Sequence, residues 1–486
     1  AAVTASRSGS LPPHSVTANR LIDRRHAALL AAIVLGGTLL RLRYLYVPMR
    51  YDEAFTFDAY AMSGVGHITS TYDIPNNHIF YTLLAHFTWR LFGDHLWTVR
   101  LPALLAGIAL IPMSHLVART LYDRRAGLCA AALVAASGPL VDYSVNGRGY
   151  TLGALLMLLA LWLATKLLRE SRLRLWGAFV TCSTVAIYTV PTMAYGIGVV
   201  AVWMAACALW ARRRVLLVAQ LGLACAVIAG LSLALYSPVL GQAGWTAVDP
   251  VPVSWSPIAH LASRVWENWN SDAPHPLDWI VAGCFLAATF LHRRIAQHRV
   301  PLVAATTVIV LAIVAFGKLP PYPRNWLFLL PLYLIPAGAA LSWLTSSPRV
   351  RALPDGTLTA VATASVAVPL ALATLVSQLR NTDTPPTSDN HIVDLLRRFV
   401  PPHQRAAIDP VYVAVPSAYY FRRFGGSDLA SSHIGAAERR SGHVILVVAR
   451  DVPPGPALRF FGAEPTRPAR RLIHRYIDIY DAPIAR

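Results

Sequence analysis

The chain is 486 residues long, 55% hydrophobic and only 14% charged, and its formal net charge is +19. A soluble protein of this size carries roughly a quarter charged residues, so the composition excludes an ordinary soluble fold and indicates a polytopic membrane protein. The arginines lie in short clusters between apolar runs, the pattern of cytoplasmic loops and not of a basic groove, so no nucleic-acid partner is expected.

In chain order, a polar arm comes first and lacks the arrangement of a cleaved signal peptide. A spanning helix needs about twenty apolar residues. Eleven candidate spans follow, near 27–47, 99–118, 126–142, 149–168, 175–190, 194–211, 215–238, 278–292, 300–317, 325–344 and 357–378. Basic clusters at Arg20/Arg24/Arg25, Arg119/Arg124/Arg125, Lys166–Arg174, Arg212–Arg214, Arg293–Arg299 and Arg349/Arg351 fall on every second connection. One orientation therefore places them all in the cytoplasm. Counting the apolar segment 78–92 as a crossing would invert every later cluster, so it reads as an interfacial or re-entrant helix on the outer face.

Segments 48–98, 143–148, 191–193, 239–277, 318–324 and everything after 378 then lie outside, with 239–277 a Trp- and Pro-rich, interface-seated loop. In the tail, a helical pattern at Ile392–Phe399 precedes strand-like runs at Val411–Val415, Val444–Val448 and Leu472–Tyr480. The expected fold is an all-α polytopic membrane protein of about eleven transmembrane helices with a small C-terminal soluble α/β domain. Its parts are a cytoplasmic arm (1–26), a membrane domain (27–378, with external loop 48–98) and an extracytoplasmic domain (379–486). Cys129, Cys182, Cys207, Cys225 and Cys284 all sit in apolar runs and read as core residues without disulfide or metal spacing.

Ionisable residues at membrane depth are costly and mark function by default, and here the unusual ones map to the outer side. Asp52 and Glu53 open the first loop, with Asp58 beyond them; Asn77 and His78 lead into segment 78–92; Arg100 begins the next span. Asn146-Gly147-Arg148-Gly149-Tyr150 forms a tight outer turn, and Lys318, Tyr322 and Arg324 gather before the span at 325–344. Carboxylates, a histidine and guanidiniums on one face suit sugar transfer from a lipid phosphate. A carboxylate takes the acceptor hydroxyl's proton as its oxygen attacks the anomeric carbon. Arg or Lys donors stabilise the departing phosphate. The same residues also have plainer readings: a solvated acid pair or helix N-terminal charge for Asp52-Glu53, a hydrogen-bonded helix-start histidine for His78, and interface snorkellers for Arg148 and Arg324.

Four stretches resemble one known superfamily: Tyr51-Asp52-Glu53-Ala54-Phe55-Thr56; Asn77-His78-Ile79-Phe80-Tyr81 through Leu91-Phe92-Gly93 to Val99-Arg100-Leu101-Pro102-Ala103; Asp142 to Tyr150; and Pro323-Arg324-Asn325-Trp326 to Pro331. The chain resembles the polyprenyl-phosphate-sugar-dependent glycosyltransferases of the GT-C fold, which include protein O-mannosyltransferases and lipid A aminoarabinose transferases (glycosyltransferase family 39-like). It departs from their pattern where Ile79-Phe80 replaces Pro-Pro after His78 and where Asn146-Gly147 replaces Glu-Ala before Arg148.

The resemblance implies an inverting transfer of one sugar, mannose or arabinose, from a polyprenyl-phosphate donor. The acceptor would be a hydroxyl of a cell-envelope glycan, glycolipid or secreted protein, and membrane lipids would surround the enzyme. It implies Asp52 as the base. The charge pattern adds Glu53 as orienting partner or second acid, and Arg148 and Arg324, then Arg100 and Lys318, as donor-phosphate ligands, with His78, Asn77, Tyr150 and Tyr322 contacting substrate. Members vary in metal use, and no His/Asp cluster here is dense enough to require a divalent cation. The expected location is the plasma (inner) membrane, with the active site and C-terminal domain on the extracytoplasmic side. Two rivals remain: a lipid-linked sugar transporter or flippase, which predicts ionisable residues near the bilayer midplane and paired broken helices, and a non-catalytic envelope-assembly scaffold that binds through its tail.

Overall fold

A computed structural model of the protein describes residues 13–47, 49–72, 76–210, 215–243, 256–271, 273–315, 322–346 and 357–381, and four short strands beyond them. The elements run α1 (Pro13–Arg43), α2 (Tyr51–Thr56) continuing as one π-helical turn (Phe57–Ala61), α3 (Val65–Ser70), α4 (Ile79–Phe92), α5 (Leu96–Leu121), α6 (Arg124–Ala136) and α7 (Gly138–Ser144). Then come α8 (Tyr150–Leu167), α9 (Leu173–Thr189), α10 (Met193–Trp210), α11 (Val215–Ala243), α12 (Ser256–Asn270), α13 (Leu277–Phe290), α14 (His292–Ile295), α15 (Leu302–Ala315), a 3₁₀ turn (Pro323–Trp326), α16 (Leu329–Thr345) and α17 (Thr357–Asn381).

Length and apolarity make this an integral membrane protein. Among the described residues, six helices are long and apolar enough to cross a bilayer: α1, α5, α8, α10, α11 and α17. The α6–α7 pair adds a seventh if its 63° bend lies within one span, and α13, α15 and α16 are shorter apolar helices. Segment 78–92 is helical, as α4. The Trp- and Pro-rich stretch contains α12, whose apolar and polar residues segregate to opposite faces. Lys318, Val411–Val415 and the 392–399 segment lie outside the described residues. The tail forms a sheet of order β1-β2-β4-β3 from β1 (Ala406–Asp409), β2 (His443–Ala449), β3 (Arg470–Ile473) and β4 (Ile477–Pro483). β1 and β2 are parallel and the other pairs antiparallel. The run at 472–480 is thus two strands, β3 and β4, pairing Leu472 with Ile479.

The core lies between α5, α6, α8 and α16, where Leu110, Ala130, Leu161 and Ile335 are fully buried. Small residues let these helices approach closely, the usual device where lipid tails give no hydrophobic drive to association. A Cβ on Gly338 of α16 would lie 2.6 Å from the backbone nitrogen of Ala130 on α6.

The bend between α6 and α7 has a sequence cause. Pro139 has no N–H to give to Ala135, and the chain turns at Ser137, so carbonyls at the end of α6 lose their helical partners. Arg41, wholly buried on α1, donates to the carbonyls of Ala135 at 3.1 Å and Val134 at 3.4 Å, and its Nε donates to Ser144 Oγ at 3.0 Å. Thr374 of α17 donates to the carbonyl of Ala136 at 3.3 Å. A buried carbonyl left unmet costs about 1–3 kcal/mol, so these side chains make a sharp break tolerable inside the bundle.

Because backbone, not a flexible side chain, faces Gly338, Gly338→Val should force α16 off α6 and destabilise the protein by at least about 1–3 kcal/mol. Unfolding in detergent, followed by temperature ramp, measures this; an unchanged midpoint would contradict the helix contact.

Candidate active site

Asp52 and Glu53 occupy the first turn of α2, where carboxylates complement the helix dipole, and they separate at once. Glu53 is fully buried and forms a two-point ion pair with Arg100 of α5, Oε1 to Nε at 2.8 Å and Oε2 to Nη2 at 2.7 Å. Its oxygens also accept the backbone N–H of Gly147, and that of Arg50 at 3.0 Å, the latter being the N3 half of a capping box. Arg100 gives its remaining donors to the carbonyls of Leu45 and Val47, at 2.8 and 2.6 Å.

Asp52 instead faces the cleft, with its side chain 24% exposed. Arg324, from the 3₁₀ turn, lies 3.4 Å from Oδ2, and Arg148 lies 3.8 Å from Oδ1. Two residues 176 positions apart in sequence (324 − 148) thus bracket one carboxylate. Arg148 is 1% exposed, and its Nη1 donates to Asn76 Oδ1. Its guanidinium also lies 5.6 Å from the Tyr150 ring, and its Nε has no hydrogen-bond partner among the described residues. Asn76 is held in turn by the Asp52 carbonyl at 3.1 Å and Thr56 Oγ1 at 3.2 Å.

His78 lies beside Arg148. The Gly149 N–H donates to Nδ1 at 2.9 Å, and Arg148 Nη2 is 3.0 Å from Nε2. A Cβ on Gly149 would lie 3.3 Å from Nδ1 and 2.5 Å from Thr189 Cγ2, so only glycine lets the backbone come this close. Burial, with the Arg148 and Arg324 guanidiniums nearby, holds the imidazole well below its ordinary pKa, so it is neutral. Since Nδ1 accepts, the ring's single proton sits on Nε2, facing an Arg148 N–H. Two donors 3.0 Å apart need an acceptor atom to reconcile them, and Arg148 brings a further free donor in Nε.

Of the other expected site residues, Tyr150 is buried, its ring 4.8 Å from that of His78 and its hydroxyl 3.5 Å from Asn325 Oδ1. Tyr322 is exposed, with Arg324 4.3 Å above its ring. Asn77 points away: it is fully buried and ties the carbonyls of Ile68 and Thr71. Its neighbour Asn76 is the one in the cluster. Glu53 and Arg100 likewise stay out of the cleft, their hydrogen-bonding capacity spent on one another and on backbone. Sequence reading also passed over Asn76, Asn325 and the Arg50–Asp142 ion pair, in which Arg50 Nη1 lies 2.6 Å from Asp142 Oδ2. Among the described residues, no three His, Cys, Asp or Glu side chains come together to hold a metal ion.

The class follows from how these helices superpose on known membrane proteins. The chain has the GT-C fold of membrane glycosyltransferases. ArnT from Cupriavidus metallidurans in its apo state superposes with a TM-score of 0.61 at 16% identity, covering 94% of this chain and 97% of that one. ArnT bound to undecaprenyl phosphate gives 0.61 at 15% over the same shares, 94% and 97%. The mycobacterial arabinofuranosyltransferase AftD gives 0.51 at 14%, covering 94% of this chain and 40% of that one. Residues 76–241 match the family described as dolichyl-phosphate-mannose-protein mannosyltransferase. No curated protein matches in sequence.

Two expectations follow. Glu53→Gln keeps the volume but leaves the Arg100 charge buried without a counter-ion, which should cost about 3–5 kcal/mol of stability; an unfolding midpoint equal to wild type would refute it. His78 resists protonation in the folded protein, so below its ordinary pKa of 6.5 the unfolded chain binds more protons. Its contribution to stability is therefore full above about pH 6.5 and declines as the pH falls towards the depressed folded value. The midpoint should drop less steeply with acidification in His78→Gln than in wild type, and parallel slopes would exclude the effect.

Proposed function

We propose that the chain is an inverting membrane glycosyltransferase that moves one sugar, mannose or arabinose, from polyprenyl phosphate to a hydroxyl of a cell-envelope glycan, glycolipid or secreted protein. The observation that carries this reading is the partly exposed Asp52 carboxylate set between Arg148 and Arg324. The Glu53–Arg100 and Arg50–Asp142 pairs are each internally balanced and His78 is neutral, so among the described residues the cluster holds two guanidiniums against one carboxylate, a surplus of one positive charge. A surplus positive charge beside a base fits an anionic leaving group next to a nucleophile that must lose a proton.

In the proposed step the acceptor oxygen attacks the anomeric carbon as Asp52 takes its proton. The new C–O bond forms while the bond from that carbon to the phosphate oxygen breaks, releasing the polyprenyl phosphate. Arg148 and Arg324 hold the phosphate, whose oxygen supplies the acceptor missing between Arg148 Nη2 and the N–H of His78. Tyr150, Tyr322 and Asn325 shape the wall around these arginines. The undecaprenyl phosphate bound to ArnT, a protein of the same fold, supports a ligand of this class. In the membrane, eleven spans with the cleft and the C-terminal α/β domain on the extracytoplasmic side accommodate both the alternating arginine clusters and a lipid-linked donor.

Two substitutions test separate halves of the reading. Asp52→Asn keeps the volume but cannot take a proton, so turnover should fall about a hundred- to ten-thousand-fold while donor binding persists. Turnover within a few-fold of wild type would end the mechanism. Arg148→Lys and Arg324→Lys lose the planar two-point contact and should each weaken donor binding roughly tenfold; unchanged apparent donor affinity in folded protein would remove them from the phosphate site.

A further inference from the structure

A small cavity with a mainly apolar lining lies elsewhere in the bundle and shares no residue with the Asp52 cluster. It measures about 30 Å³ and lies where α7, α12, α13, α16 and α17 meet, lined by Pro139, Trp269, Asp278, Tyr333 and Thr374 among others. That is room for about two waters or one hydroxymethyl group. Asp278 is 2% exposed; its Oδ2 accepts from His275 Nδ1 at 2.9 Å, while its Oδ1 has no partner among the described residues. The Tyr333 hydroxyl and Trp269 Nε1 are equally buried and equally without partners. Three residues lining one small space thus each carry an unmet polar atom, which is uncommon, since buried polar groups are nearly always paired.

The mixture of atoms narrows the occupant. A carboxylate oxygen only accepts, an indole N–H only donates, and a phenol does both. A metal ion or an ammonium group could satisfy Asp278 but would oppose the Trp269 N–H. A group that both donates and accepts, a sugar hydroxyl or a water, can meet all three. The aromatic setting suits it too: the Trp269 and Tyr333 rings lie 5.7 Å apart, and Phe285 is 5.1 Å from Tyr333.

The place of the cavity ties it to the reaction site. Pro139 lines it, and Asp142, three residues further along α7 and about 4.5 Å up the helix axis, holds Arg50 next to Asp52. α12, which carries Trp269, packs on α7 and on the 3₁₀ turn that carries Arg324.

We propose that this cavity is a sugar-hydroxyl subsite, in which Asp278, Tyr333 and Trp269 take a hydroxyl or hydroxymethyl group of the donor sugar or of the acceptor glycan. The inference rests on the glycosyltransferase reading for its substrate class. Its first test needs no turnover. Methyl α-mannopyranoside and methyl α-arabinofuranoside are added separately to the full chain in detergent, and the unfolding midpoint is followed. At least one should raise the midpoint of wild type and leave those of Asp278→Asn and Tyr333→Phe unmoved. No rise with either glycoside, or a rise that survives both substitutions, would overturn the subsite.

The transfer assay then identifies the source of the hydroxyl. A roughly tenfold higher KM for the polyprenyl-phosphate sugar in the variants assigns it to the donor, and the same rise for the acceptor assigns it to the acceptor, with kcat within a few-fold in either case. Variants of lowered stability with both KM values unchanged would mean that the cavity holds only structural water, against the proposal. Glycoside binding lost in the variants, together with a wild type that transfers no sugar, would leave the subsite standing and refute the glycosyltransferase reading instead.

Discussion

The geometry of the cleft depends on one buried ion pair. Glu53 and Arg100 are both at 0% side-chain exposure, so each charge has left water entirely. Such a pair is tolerated when its remaining lone pairs and protons find partners. Glu53 takes four donors and Arg100 reaches two further carbonyls, so the pair fastens the end of α1, the start of α2, α5 and the turn at Gly147 to one point. Two of these segments bring a residue to the cleft: Asp52 follows from α2, Arg148 from the turn.

The same pair explains why two adjacent acids have different fates. Successive residues on a helix point about 100° apart, so once Glu53 is locked inward Asp52 must point aside, towards open space. Glu53 is neutralised in place by its own guanidinium. Asp52 instead stands between Arg148 and Arg324, partly open to solvent. Neutral His78 adds no charge of its own, yet it sets a donor against Arg148. A protonated histidine there would add a second like charge beside a buried arginine, which is why the surroundings oppose it.

Much of this was legible in the chain itself. Apolar run lengths set out the helices, and the acid pair, the Gly-flanked Arg148 and Arg324 all stood out as expensive residues at one end of the bundle. What could not be read was partnership. Glu53 and Arg100 are 47 residues apart, and Arg50 and Asp142 are 92 apart; nothing local distinguishes an arginine destined for a carboxylate from one left for a ligand. Asn76 and Asn77 show the same limit at closer range. They are chemically identical, and only the direction of the chain entering α4 turns the first into the cleft and the second towards the carbonyls of Ile68 and Thr71. In the tail, Leu472–Tyr480 reads as one strand because its residue types run on without a break, while the structure pairs its two halves as neighbouring strands.

A transporter would also use a broken helix, and α6–α7 is one. In that class the carbonyls freed by the break are left to coordinate the transported ion or substrate. Here the carbonyls of Val134, Ala135 and Ala136 are taken by Arg41 and Thr374, side chains of the protein's own neighbouring helices. The break redirects the chain, so that Asp142 meets Arg50 and Pro139 lines the cavity beside Asp278. A bend whose freed carbonyls are met from within differs from that pattern. Alternating access would need the reverse, a break whose groups exchange partners as the helices move.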